Sequence, residues 1–279
     1  EDLLSKKSLS NKIVINTCAV TNQAVQNSLR EVKKAVKKFP NHEIIVTGCA
    51  SQVERENFEN LSFVSRIVDN KQKTIADSYE ENFKNDNLPE YKFPNLPTYS
   101  KNRTRATLQI QQGCNHRCTF CIIPYGRGKS LSLPIHEISN RVTKILKKGY
   151  KEITLTGVDL TSYGEDLNDK PKIGSVLKKL FISHESLERL RLSSIDPAEV
   201  DDDLIDLFKS EKRLMPHIHF SLQSGDNLIL KRMKRRHNRE KVIELCKILR
   251  SNRPDLTFGA DLIVGFPTET DEGFKNSLD

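Results

Sequence analysis

The chain has 279 residues, enough to bury one large hydrophobic core or two moderate ones. Apolar residues make up 36% of it and never form a run of 18, so the sequence excludes a transmembrane helix and membrane binding is not expected. Forty-five Lys and Arg against 37 Asp and Glu give a net charge of +8, which favours encounters with polyanions such as RNA without establishing contact.

The six cysteines are the first chemical feature. The chain begins at Glu1 and shows no basic, apolar leader, so we expect a soluble, cytoplasmic protein in a reducing compartment. In such compartments clustered thiols more often bind metals or perform chemistry than form disulfides.

The first elements in chain order predict a β-α-β unit. Lys12 to Cys18 reads as a buried parallel strand that runs into a turn, and Ile44 to Val46 as a second strand. Apolar residues at helical spacing lie between them, namely Val25, Leu29, Val32, Val36 and Phe39. A weaker third round spans Arg66 to Val68 and Thr74 to Phe83. We therefore expect residues 1–81 to form a small open α/β domain with a parallel sheet.

Two cysteines follow the first two strands. Cys18 ends the first strand and Cys49 ends the second, and equivalent ends of parallel strands share one edge of a sheet. The two thiols could therefore converge there. Small buried apolar residues are the alternative interpretation.

A change in composition separates this region from the next. Residues 82–104 are rich in Asn, Lys, Glu and Pro and are predicted to be a linker. Strands and helices then alternate over residues 105–279, which predicts a β/α barrel or part of one, with functional groups where the strands end. The predicted strands are Ala106 to Gln111, Glu152 to Thr156, Arg189 to Ser193, His217 to Leu222 and Phe258 to Val264.

Three thiols follow the first strand of the second domain directly. Cys114, Cys118 and Cys121 lie within eight residues, and three thiolates can hold a four-iron cluster that leaves one iron free for a small molecule. Zinc is the alternative, but it would need a fourth ligand. His116 could supply one, although in so tight a loop we expect it at the surface.

The spacing Cys-x3-Cys-x2-Cys resembles the signature of the radical S-adenosylmethionine (SAM) superfamily. The wider resemblance is to its methylthiotransferases. It is carried by residues 16–21 (NTCAVT), 47–50 (TGCA), 157–164 (GVDLTSYG), 190–197 (LRLSSIDP), 219–226 (HFSLQSGD) and 261–270 (DLIVGFPTET).

Two further segments resemble one branch of that family. Residues 122–132 (IIPYGRGKSLS) and 231–237 (KRMKRRH) are similar to the branch that places a methylthio group on C2 of N6-threonylcarbamoyladenosine 37 of tRNA. Isopentenyladenosine of tRNA and a ribosomal-protein aspartate are the alternative substrates within the family. A non-catalytic iron-sulfur or zinc protein that binds RNA is the alternative of another class.

The resemblance implies two 4Fe-4S clusters and SAM as cofactors. Cys114, Cys118 and Cys121 would hold the radical SAM cluster, while Cys18 and Cys49 match two of the three ligands of an auxiliary cluster. Because the third ligand has no match, we expect the beginning of the chain to be missing. The small RNA-binding barrel that ends family members has no counterpart either.

The remaining candidates are polar residues near predicted strand ends and a basic run. We expect SAM to contact Asp159, Ser193, Ser194, Gln223, Ser224 and Glu269, and RNA to contact Arg127, Lys231, Arg232, Lys234, Arg235 and Arg236. Cys246 lies on the apolar side of a predicted helix and is expected to pack in the core. The implied partners are tRNA, an electron donor such as flavodoxin or ferredoxin, and a sulfur donor.

Overall fold

The computed structural model describes residues 11–80, Tyr91, Phe93 and 104–279. The predicted linker therefore lies almost wholly outside the described residues. The chain divides into two compact units. The first unit is Glu1–Pro94 with Cys121–Gly128, and the second is Asn95–Phe120 with Lys129–Asp279. The short segment Cys121–Gly128 belongs to the first unit, although the residues before and after it in the chain belong to the second. The sequence pattern did not indicate this assignment.

The first unit contains a three-stranded parallel sheet in the order β1-β2-β3. Its strands are β1 (Lys12–Thr17), β2 (Glu43–Gly48) and β3 (Val64–Val68), and its helices are α1 (Asn22–Lys38), α2 (Cys49–Val53), α3 (Arg55–Glu59) and α4 (Ile123–Arg127).

The two faces of this sheet are covered by different residues. Ile44 and Val46 on β2 pack with Phe58 of α3, whereas the intervening Ile45 packs with Val68 and Tyr79 on the other face. A sheet covered on both faces requires the continuous apolar runs seen in the sequence, so the predicted α/β domain is confirmed.

Helix α1 begins where the sequence offers a capping side chain. Thr21 Oγ1 accepts a hydrogen bond of 3.0 Å from the backbone N of Ala24, which satisfies one free N–H of the first turn. Val25 and Val32 on its inner face are buried in the core of the first unit.

The second unit contains parallel strands linked by helices. A three-stranded sheet has the order β4-β7-β8, β9 pairs with β10, and a bridge from Ile195 to Phe220 follows the end of β8. The strands are β4 (Arg105–Gln109), β5 (Gln111–Gln112), β6 (Leu131–Ser132), β7 (Glu152–Thr156), β8 (Arg189–Leu192), β9 (His217–Gln223) and β10 (Thr257–Leu262). The helices are α5 (Ile135–Lys147), α6 (Ile173–Ser183), α7 (Asp202–Ser210), α8 (Asn227–Arg232), α9 (Arg239–Asn252) and α10 (Asp271–Leu278).

The predicted partial barrel is confirmed, with one local difference. Gln111 was expected to continue the first strand, but it pairs antiparallel with Ser132 in the small β5-β6 ribbon. Strand β5 of this ribbon precedes Cys114 and strand β6 follows Cys121, so the two strands flank the cysteine segment in the chain. No helix among the described residues is long and apolar enough to cross a lipid bilayer.

Candidate functional site

The three clustered cysteines follow β5 in the chain. Cys114 and Cys118 belong to the second unit, and Cys121 begins the segment that belongs to the first. Each of the three side chains is partly buried, and none of them forms a disulfide. Three soft donors in one short loop fit an iron-sulfur cluster, and no other described cysteines lie so close in the chain.

His116 is not the surface residue expected from the sequence. Its Nε2 lies 2.9 Å from Asp159 Oδ2 and 3.1 Å from Ser162 Oγ, and its side chain is 21% exposed. Asp159 Oδ2 also accepts a hydrogen bond of 3.5 Å from Cys114 Sγ. The loop between the first two cysteines is therefore attached to the segment that follows β7.

Glu199 extends this contact to the segment after β8. Its Oε1 lies 3.7 Å from His116 Nε2 and accepts a hydrogen bond from Arg236, and its Oε2 lies 2.9 Å from Ser162 Oγ. Hydrogen bonding to Asp159 and then to Glu199 outweighs burial and raises the pKa of His116 to about 10. Burial would raise the pKa of Glu199, but His116 and Arg236 lower it to about 2.

Asp196 is a buried carboxylate at the centre of a basic group. Arg235 Nη2 lies 3.1 Å and Arg236 Nη2 2.9 Å from its Oδ2. Burial would raise the pKa of Asp196, yet the His237 ring and the two guanidinium groups hold it well below its usual range. Arg235 Nη1 also donates a hydrogen bond of 3.6 Å to Cys118 Sγ, so a positive charge faces the second cysteine.

The buried side chain of Gln111 forms hydrogen bonds both to the backbone before Cys114 and to the backbone after β7. This fully buried side chain accepts hydrogen bonds of 2.8 Å from the backbone N of Val158 and of Asp159. Its Nε2 donates to the backbone O of Gly113 at 2.8 Å and to Ser130 Oγ at 2.9 Å. Every polar atom of the side chain therefore serves in positioning the backbone around Cys114.

Three of the expected SAM ligands lie at strand ends, as the barrel pattern predicts. Ser193 Oγ accepts a hydrogen bond of 3.3 Å from Gly157 N, and Ser194 Oγ lies 2.9 Å from His219 Nδ1. Gln223 has a φ of +73° at the end of β9, an uncommon backbone conformation for a residue with a side chain. Their role in binding SAM stays a prediction.

Two other expected SAM ligands are engaged elsewhere. Ser224 has no exposed surface, because its Oγ accepts a hydrogen bond of 3.1 Å from Asp226 N and lies 3.3 Å from Ser277 Oγ. Its expected contact with SAM stays a prediction. Glu269 Oε2 accepts a hydrogen bond of 2.6 Å from Gly265 N and orders the loop after β10.

The basic run 231–237 divides into two groups. Lys231, Arg232 and Lys234 are exposed, and Arg232 Nη1 donates a hydrogen bond of 3.0 Å to the backbone O of Thr268. Arg235 and Arg236 instead form the ion pairs with Asp196 and Glu199. Arg236 is itself exposed, so these ion pairs do not test the expectation that the two residues contact RNA, and that expectation stays a prediction.

In the first unit, Cys18 and Cys49 follow a register pair of neighbouring strands. Thr17 of β1 lies opposite Gly48 of β2, so the cysteines that follow share one edge of the sheet, with Cys18 exposed and Cys49 buried. Gly48 has a φ of +107°, and a Cβ there would lie 2.2 Å from Thr17 O, so this position requires glycine.

Asn70 is the polar side chain that contacts Cys49. Its Nδ2 donates to Cys49 Sγ at 3.6 Å and to the backbone O of Gly126 at 2.6 Å. Arg127, expected to bind RNA, lies partly buried in the same unit near Lys73. Burial and the charge of Arg127 lower the pKa of Lys73.

Cys246 lies partly buried on α9, where burial raises the pKa of its thiol. It is remote in sequence from the other five cysteines, and its expected packing in the core stays a prediction, since Val242 and Leu249 are the buried residues of this helix.

Several residues of the site were not identified from the sequence. Gln111, Asn70, Asp196 and Glu199 are polar residues at or just after strand ends, and that position was the available signal. The sequence predicts His116 at the surface, with ligation of zinc as the alternative. Its true partners, Asp159 and Glu199, follow other strands, so no local pattern indicates the contact.

Two protein-family models match the chain. Residues 108–279 match the radical SAM superfamily, and residues 2–69 match an uncharacterised protein family designated UPF0004. The cofactors predicted from the cysteine loop, a 4Fe-4S cluster and SAM, are those of the radical SAM superfamily.

Curated relatives extend over both matched regions. The threonylcarbamoyladenosine tRNA methylthiotransferase MtaB of Rickettsia prowazekii (strain Madrid E) is 45% identical over 98% of this chain and 66% of the relative. The protein of that name from Aquifex aeolicus (strain VF5) is 36% identical over 100% of this chain and 70% of its own length. A tRNA-2-methylthio-N(6)-dimethylallyladenosine synthase of Thermodesulfovibrio yellowstonii is 34% identical over 95% of this chain and 63% of the relative. The chain thus spans about two thirds of the length of these relatives.

A solved structure supports the fold. The radical SAM methyltransferase TsrM of Kitasatospora setae, with cobalamin and a 4Fe-4S cluster bound, has a TM-score of 0.69 at 13% identity, covering 96% of this chain and 60% of TsrM. At that identity the likeness concerns architecture alone. The cysteine loop, the barrel strands and the identity to both groups of relatives lead to one assignment: the chain belongs to the methylthiotransferase family of the radical SAM superfamily.

Proposed function

We propose that this chain carries the catalytic region of a tRNA methylthiotransferase that adds a methylthio group to C2 of N6-threonylcarbamoyladenosine 37. The observation that carries the proposal is the 45% identity over 98% of the chain to a relative with the corresponding name. The YGRG segment 125–128 supports the choice of this branch.

Cys114, Cys118 and Cys121 would hold a 4Fe-4S cluster, whose open iron would take SAM. Bound there, the cluster and SAM would supply one-electron radical chemistry. The three thiols fit this group because they are soft donors, and Arg235 Nη1 donates a hydrogen bond of 3.6 Å to Cys118 Sγ.

The protein's own contribution to this site is positioning and charge. Gln111 holds the backbone before Cys114, and Arg235 is itself held by Asp196 and by the backbone O of Ser221 at 2.6 Å. Asp159, Ser193, Ser194 and Gln223 are proposed to orient SAM through their polar groups. The exposed Lys231, Arg232 and Lys234 would contact tRNA phosphates, which position the substrate without reading its sequence.

Cys18 and Cys49 would contribute to the auxiliary cluster. The residues present fit that group in part, since they provide two of the three expected thiols at one sheet edge. An electron donor such as flavodoxin or ferredoxin, a sulfur donor and a cytoplasmic location complete the proposal.

The test is anaerobic reconstitution with iron and sulfide, followed by iron counting and assay of SAM cleavage to 5'-deoxyadenosine. We expect cleavage to be lost in the Cys114→Ala, Cys118→Ala, Cys121→Ala triple variant and kept in Cys246→Ala, the matched control. A cysteine triple variant that still cleaves SAM would refute the assignment.

Substrate choice requires a second assay. Purified tRNAs carrying threonylcarbamoyladenosine or isopentenyladenosine, and purified ribosomal protein, are incubated with the reconstituted enzyme and examined by mass spectrometry. A methylthio group on either of the latter two, and not on the first, would contradict the proposed substrate.

A further inference from the structure

We propose that His116 is a positioning residue for the radical SAM cysteine loop. Its ring fastens the segment between Cys114 and Cys118 to the strand-end segments that follow β7 and β8. The inference rests on the proposed cluster at the cysteine loop and names a residue that acts on that cluster through Asp159.

The carboxylate of Asp159 is the centre of the argument. Its Oδ2 lies 3.5 Å from Cys114 Sγ and 2.9 Å from His116 Nε2, and its side chain is 9% exposed. A thiolate that ligates iron has no proton to donate, so Cys114 cannot satisfy this carboxylate once the cluster is bound. His116 Nε2–H and Ser162 Oγ–H, each at 2.9 Å, are then the donors that remain to Asp159 Oδ2, and they offset its repulsion from the thiolate.

A second carboxylate and a hydroxyl lie near the same ring nitrogen of His116. Glu199 lies 3.7 Å from Nε2, and Ser162 Oγ lies 2.9 Å from the Oδ2 of Asp159 as well as from the Oε2 of Glu199. Glu199 is in turn paired with Arg236, whose second nitrogen binds Asp196. Because each member is fixed by the next, His116 needs no rearrangement to serve Asp159.

The contact also acts on the loop backbone. The backbone N of His116 donates a hydrogen bond of 3.4 Å to Cys114 Sγ, and the ring of the same residue binds Asp159, whose carboxylate accepts from that thiol. Residues that orient a ligand in this way commonly change metal affinity by about 10-fold to 100-fold when they are replaced.

The experiment compares reconstituted wild type, His116→Leu, His116→Gln and the control His136→Leu. His136 is an exposed histidine on α5. The readouts are iron per chain and the rate of iron release to a chelator. We expect His116→Leu to release iron about 10-fold faster or more, and His116→Gln, whose amide can still donate, to recover most of the loss.

A double variant separates positioning from general stability. Adding Asp159→Asn to His116→Leu removes the uncompensated carboxylate, so iron release should slow again towards the wild-type rate. Thermal unfolding of the cluster-free variants is measured in parallel. A purely structural role would lower the melting temperature and show no rescue by Asp159→Asn, and that result would overturn the inference.

Other outcomes are also decisive. His116→Leu that retains iron as well as His136→Leu does would refute the role of His116. If wild type and the His136 control bind no cluster, the proposed function fails together with the inference. A single divalent metal per chain that is lost in His116→Leu but kept in Cys121→Ala would point to direct ligation by Cys114, His116 and Asp159, whose donor atoms lie within 4.8 Å of one another, and would contradict positioning.

Discussion

Asn70 donates a hydrogen bond of 2.6 Å from Nδ2 to the backbone O of Gly126, and the same nitrogen lies 3.6 Å from Cys49 Sγ. This one amide therefore holds α4, which follows Cys121, against the start of α2. Gly126 accepts the close approach because it lacks a side chain: a Cβ there would lie 3.1 Å from Cys49 Cβ. Cys49 and Cys121, which are 72 residues apart in the sequence, thus border one packed region of the first unit.

Replacing Asn70 by Asp should destabilise the first unit. A carboxylate of the same shape cannot donate to Gly126 O, and its charge would be nearly buried, since Asn70 is 4% exposed. We expect a loss of about 1–3 kcal/mol in the free energy of unfolding, measured by urea denaturation of the cluster-free chain. Asn41→Asp, at an exposed turn, is the matched control and should change stability little. Equal losses in the two variants would contradict the role given to Asn70.

Replacing Gln111 by Leu should disturb the cysteine loop. The apolar side chain leaves the backbone N–H groups of Val158 and Asp159 and the carbonyl of Gly113 without their buried partner, at about 1–3 kcal/mol for each group. Iron content after reconstitution should fall as well. Gln111→Glu keeps the acceptor oxygen, so its stability and iron content should lie between those of wild type and Gln111→Leu. The control Gln26→Leu, at an exposed position, should change neither quantity. Full iron loading of Gln111→Leu would disprove the positioning role.

The stability contributed by Glu199 should depend on pH. Its pKa is lowered to about 2 from an ordinary value near 4.5, so its ion pair contributes fully above pH 4.5 and is lost as the pH falls towards 2. At pH 7 the free energy of unfolding of the cluster-free wild type should exceed that of Glu199→Gln by about 1–3 kcal/mol. The difference should narrow between pH 4.5 and pH 2 in urea unfolding. If the difference in free energy of unfolding stays constant over this range, the carboxylate charge is not responsible. The control Glu244→Gln, at an exposed position, should unfold with the same free energy as wild type.

Lys231→Gln and Lys234→Gln should each weaken tRNA binding in a salt-dependent way. Both lysines are exposed, and each phosphate contact that is lost should reduce the slope of log affinity against log salt by about 1. Binding is measured at several salt concentrations, with the equally charged change Lys33→Gln on α1 as the comparison. Identical slopes in wild type and the two variants would exclude these lysines from the RNA contact.

The sequence by itself determined the parts that depend on local pattern. Buried runs such as Glu152–Thr156 and the helical spacing from Val25 to Val32 specify strands and helices, because the side-chain periods of 2.0 and 3.6 residues are read directly from neighbouring positions. The spacing of Cys114, Cys118 and Cys121 likewise indicates the ligand set, since all three thiols lie in one short loop.

Only the tertiary structure decided which distant polar groups meet. Arg235 and Arg236 look like members of an exposed basic run, yet a buried Asp196 40 residues earlier binds Arg236 at 2.9 Å. Likewise, the partners of His116 and Asn70 come from other elements. The order of the strands and the connections between them set these contacts, and neither composition nor residue spacing predicts them. A polar side chain that packing buries needs a hydrogen-bond partner, and the fold decides which residue lies close enough to be one.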